Sequence, residues 1–276
     1  MGHTVKLMAP QFVKPYVKAN KTDAADAEAI CEAVTRPNMR FVAIKNVEQQ
    51  AILSLHRARQ GFVKARTAQA NQIRGLLGEY GITIPQGIKY VMKDMLKLLD
   101  PPEHDLPGAF TDLLKRLHTH LLVLEEQVSD LETQINSWHS NNEYSQRLSK
   151  IPGIGPLTAT ALVASIADAN CFRNGRELAA WLGLVPRQHS SGGRPILLGI
   201  SKRGDTYLRT LLIHGARSAV RVAKNKSSPT DKWTNEMLNR RHQNVASVAR
   251  ANKNARIVWA LLAHGRDYNA EYKIAA

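Results

Sequence analysis

"LSKIPGIGPLTATALVASIAD", residues 148–168, decides how this chain is read. An apolar residue, a Pro-Gly-Ile-Gly-Pro turn and a run of small residues predict two helices joined by a tight turn, a helix-hairpin-helix. Gly153 and Gly155 permit the turn and leave backbone N–H groups uncovered at a helix N-terminus. Such donors take a phosphate without regard to base sequence. The same glycines would also suit a plain helical hairpin that needs only close packing. The charge around them favours phosphate. Residues 150–276 hold 20 Lys/Arg against 7 Asp/Glu, whereas residues 1–149 hold 18 against 16, so the net +15 lies almost wholly in one half. Charge so concentrated implies a polyanionic partner, and nucleic acid is the commonest one.

Downstream, "ELAAWLGLVPRQHSSGGRPILLGISKRGDTYLR" (177–209) predicts an apolar helix closed by Gly183 and a basic, glycine-rich loop from Pro186 to Gly204. A helix capped by Asp205 follows, and another spans 246–264. Arg187, Arg194, Lys202, Arg203 and, one turn inside the helix, Arg209 are candidate nucleic-acid contacts. Ser190 and Ser191 stand directly before two glycines. A serine hydroxyl is a weak nucleophile until it is positioned and loses its proton, and nearby cations would stabilise the charge of an attacked phosphodiester. His189 is a candidate base, although a serine-glycine pair is also what a flexible loop contains. Neither a G-x-S-x-G elbow nor a Walker loop occurs, which removes support for hydrolase and nucleoside-triphosphatase readings.

Upstream, "TVKLMA" (4–9) predicts a short strand, Pro10 and Pro15 hold an extended piece, and a helix runs from Asp23 to Thr35 before Pro37. In "NKTDAADAEAI" (20–30), Asp23 reads as an N-cap and Asp26 as an N3 residue, where the positive helix end favours acids. Their spacing of three also turns both carboxylates to one side, as a metal pair requires. A helix over 47–79, closed by Gly81, carries Arg57, Arg59, Lys64, Arg66 and Arg74, which either follow a nucleic-acid backbone or form a solvated basic face. Residues 88–99 predict an amphipathic helix, and "DPPEHDLPGAF" (100–110) a linker. Between 111 and 138, Leu113, Leu114, Leu117, Leu121, Leu124, Val128, Leu131 and Ile135 form a coiled-coil-like stripe, which packs either within the chain or, as the freeing prolines before it favour, against a partner chain. The chain thus divides into 1–99, 100–147 and 148–276. No apolar stretch approaches the roughly 20 residues that span a bilayer, the N-terminus lacks a signal peptide's features, and Cys31 and Cys171 lie in unrelated contexts. A soluble cytoplasmic protein without disulfides or zinc is expected.

Together, "LMAPQFVKPYVKANKTDAADAEAI" and "IPGIGPLTATALVASIADANCFRNGRELAAWLGLVPRQHSSGGRPILLGISKRGDTYLR" resemble the bridge-RNA-guided insertion-sequence transposases with a DEDD carboxylate set and a C-terminal serine. The resemblance implies a mainly α fold in which a partial α/β RuvC-like (ribonuclease-H-type) N-terminal unit precedes a helical C-terminal domain. It implies Mg²⁺ at the carboxylates, DNA and a structured guide RNA as partners, and homo-oligomers through 111–138 with sites shared between protomers. Asp23 and Asp26 match the last two acids of the set, and Ser191 matches the nucleophile that forms a phosphoserine link to DNA. Lys202 and Arg203 would stabilise charge there. No acid precedes Asp23, so the resemblance implies an incomplete metal site and either an N-terminally truncated transposase, which would bind nucleic acid without recombining it, or a misassigned start. A non-catalytic helix-hairpin-helix binding protein and a coiled-coil scaffold are the alternatives.

Overall fold

The first helices are set by local caps. A computed structural model of the chain describes residues 3, 5–18, 22–39, 41–99 and 106–271. Strand β1 (Leu7–Met8) precedes α1 (Pro10–Val13) and α2 (Asp23–Val34). The predicted strand over 4–9 thus contracts to two residues, which pair antiparallel with β2 (Phe41–Val42) as Leu7↔Val42 and Met8↔Phe41. Thr22, not Asp23, caps α2: its hydroxyl accepts from the Ala25 N–H at 3.2 Å. Asp23 and Asp26 are both in the first turn, which the helix dipole favours.

Helix α3 (Val47–Gly78) starts at a capping box in which Asn46 accepts from Gln49 N–H and the Gln49 side chain accepts from Asn46 N–H. It ends where Gly81 adopts φ +73 and Ile82 N–H reaches back to the Leu77 carbonyl. Helix α4 (Ile88–Leu99) follows, then α5 (Gly108–Asn141). Part of the predicted linker, residues 100–105, lies outside the described residues.

Most of the apolar stripe of α5 is covered within the chain. Leu114, Leu121, Leu124, Val128 and Ile135 are buried, and α5 runs antiparallel along α3 of the same chain. The register is pinned by polar pairs whose numbers fall on one helix as they rise on the other. Arg59 Nε donates to Glu132 at 2.9 Å, Arg66 to Glu125 at 2.6 Å, and His120 meets Gln69 at 3.0 Å. One core, holding Ile73, Leu77, Val91, Met95, Leu114 and Leu121, is shared by α3, α4 and α5. Each fully buried Leu or Ile there stabilises the fold by roughly 1.5–3 kcal/mol. The buried part of the stripe is therefore taken up within the chain, by α3 and α4, while Leu113 stays exposed and Leu117 and Leu131 are half-buried. A stripe shows that something covers it but not what.

The C-terminal half packs α6 (Glu143–Ser149), α7 (Pro156–Ser165), α8 (Gly175–Trp181), α9 (Thr206–Val222), α10 (Pro229–Leu238) and α11 (Gln243–His264). Leu148, Leu162, Leu178, Leu212 and Val258 form the common core of α6, α7, α8, α9 and α11, and α10 packs on α11 outside it. Between α8 and α9 a hairpin of β3 (Pro186–Gln188) and β4 (Leu197–Ile200) projects, its strands paired antiparallel and its residues mostly exposed. No helix among the described residues is long and apolar enough to cross a membrane.

Candidate functional site

The hairpin has a knotted base and an open tip. At the base, Gly183 (φ +72) and Gly204 (φ +80) let two chain segments touch backbone to backbone. A Cβ on Gly204 would lie 2.0 Å from the Trp181 carbonyl, and one on Gly183 would lie 2.1 Å from that of Arg203. Arg209 ties the same place together. Its guanidinium donates to the Leu182 and Arg203 carbonyls at 3.3 and 3.1 Å and to Thr206 Oγ1 at 3.1 Å. Arg209 is buried, so the structure gives it a clamp's task and corrects its expected contact with nucleic acid. Asp205 caps α9 as the sequence predicts, accepting from the N–H groups of Tyr207 and Leu208.

At the tip, Gly192 and Gly193 take φ +57 and +75, and Arg194 N–H closes the turn on the Ser191 carbonyl at 3.1 Å. This is the mirror-image turn that a two-residue hairpin loop prefers, and glycine meets its left-handed requirement at no steric cost. Nothing stands within 4 Å of either glycine's Cβ position, so a bulky group can approach. Ser190 accepts a hydrogen bond from the Gln188 amide at 2.8 Å, whereas the exposed Ser191 hydroxyl has no partner among the described residues. The tip brings Ser191 and Arg194 together, with His189 two residues away. Lys202 and Arg203 are exposed at the base, a strand length on the order of 20 Å from the tip. They do not share one phosphate with Ser191, which corrects their assignment as its charge stabilisers; Arg187 lies on β3 between.

The Pro-Gly turn between α6 and α7 also divides its glycines. Gly153 (φ +92) abuts α9, where its Cβ position is 2.6 Å from the Gly215 carbonyl, so close packing explains it. Gly155 is exposed at the N-cap of α7 with open space around it.

Asp23 is exposed and Asp26 half-buried on α2, whose contacts are with α1 and the turn at Lys14–Tyr16. The structure does not bring them to Ser191 within one chain. Glu28 and Glu32 are engaged elsewhere: Lys18 bonds Glu28 at 3.3 Å, and Arg36 bonds Glu32. Those cations hold the Glu32 carboxyl below its usual range, with Arg36 the larger influence. Among the described residues no three His, Cys, Asp or Glu side chains converge on one point. Mg²⁺ demands near-octahedral oxygen ligation, so the Asp23/Asp26 pair alone does not fit it.

Sequence reasoning missed a buried polar link between the two halves. His56 of α3, 1 % exposed, meets Tyr207 Oη of α9 through Nδ1 at 2.9 Å and Thr160 Oγ1 of α7 through Nε2 at 3.0 Å. Thr160 spends its only proton on backbone carbonyls, so it accepts from His56 Nε2–H, and Tyr207 O–H then donates to Nδ1. Burial, with a smaller push from Arg59, lowers the His56 pKa to about 4, which keeps the ring neutral near pH 7. Of the basic residues on α3, Arg59 and Arg66 pair with α5 and Arg74 donates to the Ile84 carbonyl, while Arg57 and Lys64 are exposed. A solitary histidine in a helical pattern gave no signal of this link.

Residues 145–231 match the profile described as "Transposase IS116/IS110/IS902 family", and residues 2–82 match the DEDD profile of IS110-type elements, described as "Transposase". A "Probable family 20 transposase" of Pseudomonas aeruginosa is 53% identical over 269 residues, covering 97% of this chain and 80% of the relative. The "Transposase for insertion sequence element IS1111A" of Coxiella burnetii is 47% identical, covering 97% and 74%. That for IS1328 of Yersinia enterocolitica is 44% identical, covering 96% and 78%. With relatives this similar along nearly its whole length, and a family profile over each half, the chain belongs to the IS116/IS110/IS902 family of insertion-sequence transposases.

Proposed function

We propose that this transposase cuts and rejoins DNA through a covalent link to Ser191. The observation that carries the reading is the free Ser191 hydroxyl on an open glycine tip beside Arg194, mounted on a rigid base. In the step, Ser191 Oγ attacks phosphorus, an Oγ–P bond forms and the P–O bond to one sugar breaks. The serine proton passes to a base, for which His189 is nearest in sequence, and the leaving sugar oxygen takes up a proton. Arg194 offsets the charge that grows on the phosphoryl oxygens. The phosphodiester energy stays in the new link, so a second sugar hydroxyl can reverse the step without ATP.

Asp23 and Asp26 supply only two carboxylates toward the several oxygen ligands that Mg²⁺ needs. Their separation from Ser191 favours a site completed in a homo-oligomer, carboxylates of one protomer meeting the serine of another. The turn between α6 and α7 is read as a helix-hairpin-helix that takes a DNA phosphate at Gly155, where the N–H groups of α7 are uncapped. The strand pair and α2 are read as part of a RuvC-like unit. A structured guide RNA, proposed from the resemblance, would follow exposed Arg57 and Lys64 on α3.

The test is a plasmid carrying the element's ends, incubated with the chain, Mg²⁺ and RNA transcribed from the element, and quenched in detergent. A DNA-linked protein band is expected from the parent and from Ser190→Ala, and none from Ser191→Ala. A parent that binds the DNA yet forms no link favours the non-catalytic helix-hairpin-helix reading, for which the uncapped end of α7 is the supporting observation.

A further inference from the structure

A groove of about 1460 Å³ opens between the β3–β4 hairpin, α10 and α11. Leu198 and Ile200 of the hairpin, Trp233 of α10 and Val245 and Val248 of α11 give it an apolar lining. Arg176, Lys253, Arg256 and Arg266 line it too, and none of these forms an ion pair among the described residues. The one carboxylate among the described lining residues, Asp267, is already held by Lys150 at 3.1 Å and Arg147 at 3.8 Å. The groove therefore combines apolar surface with an uncompensated positive charge.

Its chemistry is specific at one point. The Lys253 ammonium stands 4.6 Å from the centroid of the half-buried Trp233 ring. Burial, and then the nearby Arg250 and Arg256, make the Lys253 charge costly and push its pKa down. A bound anion would relieve that cost. The ligand that carries anions at regular spacing between flat apolar rings is a single nucleic-acid strand, with bases stacking on an aromatic and phosphates pairing with cations. Asn244 lines the same groove with its side-chain amide unengaged, and an amide matches the donor–acceptor edge of a base.

We propose that this groove is a single-strand DNA site. An unpaired stretch stacks a base on Trp233 and sets its phosphates against Lys253 and Arg256. The proposal rests on the reading that the chain acts on DNA, and it extends that reading by continuity. The hairpin whose tip holds Ser191 also forms part of the groove's lining through Pro186, Leu198 and Ile200, so a strand opened at the tip meets a receiving surface further along the same hairpin, toward its base.

Photocrosslinking of the full chain to a 5-bromodeoxyuridine-substituted single strand tests it, with the crosslinked peptide mapped by mass spectrometry. The crosslink is expected at Trp233, to be retained in Trp233→Phe, and to fall about tenfold in Trp233→Leu, the usual scale of one lost base stack. Lys253→Met is expected to weaken single-strand binding by a similar factor while duplex binding changes less than about twofold. Melting curves by circular dichroism show which variants fold, and Lys253→Met carries the test if Trp233→Leu does not. Ser191→Ala is expected to crosslink like the parent, so the groove and the serine chemistry fail separately. The proposal is overturned by a crosslink mapping elsewhere, by equal crosslinking of duplex, by stronger crosslinking of the same sequence as RNA, or by displacement of the strand by an acidic apolar peptide at lower concentration than unlabelled strand.

Discussion

The two ends of the β3–β4 hairpin use the same residue types for opposite purposes. At the base, Gly183 and Gly204 are pressed against carbonyls and Arg209 is buried among them; at the tip, Gly192 and Gly193 face open space and Arg194 is exposed. Glycine permits a close backbone contact in the first case and leaves open space in the second. Arginine is a structural clamp in one and a free cation in the other. A rigid mount under an unobstructed hydroxyl is the arrangement that a positioned nucleophile needs.

The contrast breaks first with alanine scanning of the glycines. Gly204→Ala is expected to cost more than about 4 kcal/mol, because its Cβ must enter a backbone contact at a positive φ. Gly193→Ala, where only the φ is adverse, should cost about 1–2 kcal/mol. Urea midpoints measure both, and equal costs would erase the distinction between base and tip. Arg209→Ala comes next, at about 2–4 kcal/mol, since two carbonyls lose their buried donor. Its loss of DNA binding should follow its loss of fold, whereas Arg194→Ala should weaken binding at unchanged stability.

His56 probes the mount from the other side through pH. Its folded pKa is about 4 against an ordinary value of 6.5, so the unfolded chain binds the extra proton between those values. The neutral ring's contribution is intact above about pH 6.5 and is lost as pH falls toward 4, by up to about 3 kcal/mol. Denaturation curves from pH 7 to 4 should show that decline, and His56→Gln should flatten it. Smallest is the stability effect of Ser191→Ala, expected within about 0.5 kcal/mol because the side chain is exposed and its hydroxyl has no partner among the described residues.

The sequence made the helices legible through their periodicity and punctuation. The spans 47–79 and 88–99 were read within a residue of α3 and α4, and Asp205 was recognised as a cap. Thr22 and Asp23 are both good capping types in adjacent positions, so composition alone could not choose between them. Long-range pairings were not legible. An apolar stripe on α5 is the same whether α3 or a second copy covers it, and Arg59, Arg66 and Arg209 have the composition of a basic surface while each is engaged in the interior or along a helix seam. Gly153 looked like a phosphate-binding glycine because its contact, Gly215, lies on a helix 62 positions away in the chain. The Ser191 tip was readable as residue types; that it stands opposite a knotted base emerges only when the strands pair.

The most direct measurement is the identity of the amino acid that carries nucleotide after DNA cleavage is trapped and the protein digested. Mass spectrometry of the nuclease-trimmed peptide is expected to find the phosphonucleotide on Ser191. A phosphonucleotide on Ser190, on a tyrosine, or cleavage with no protein-linked product would contradict the account.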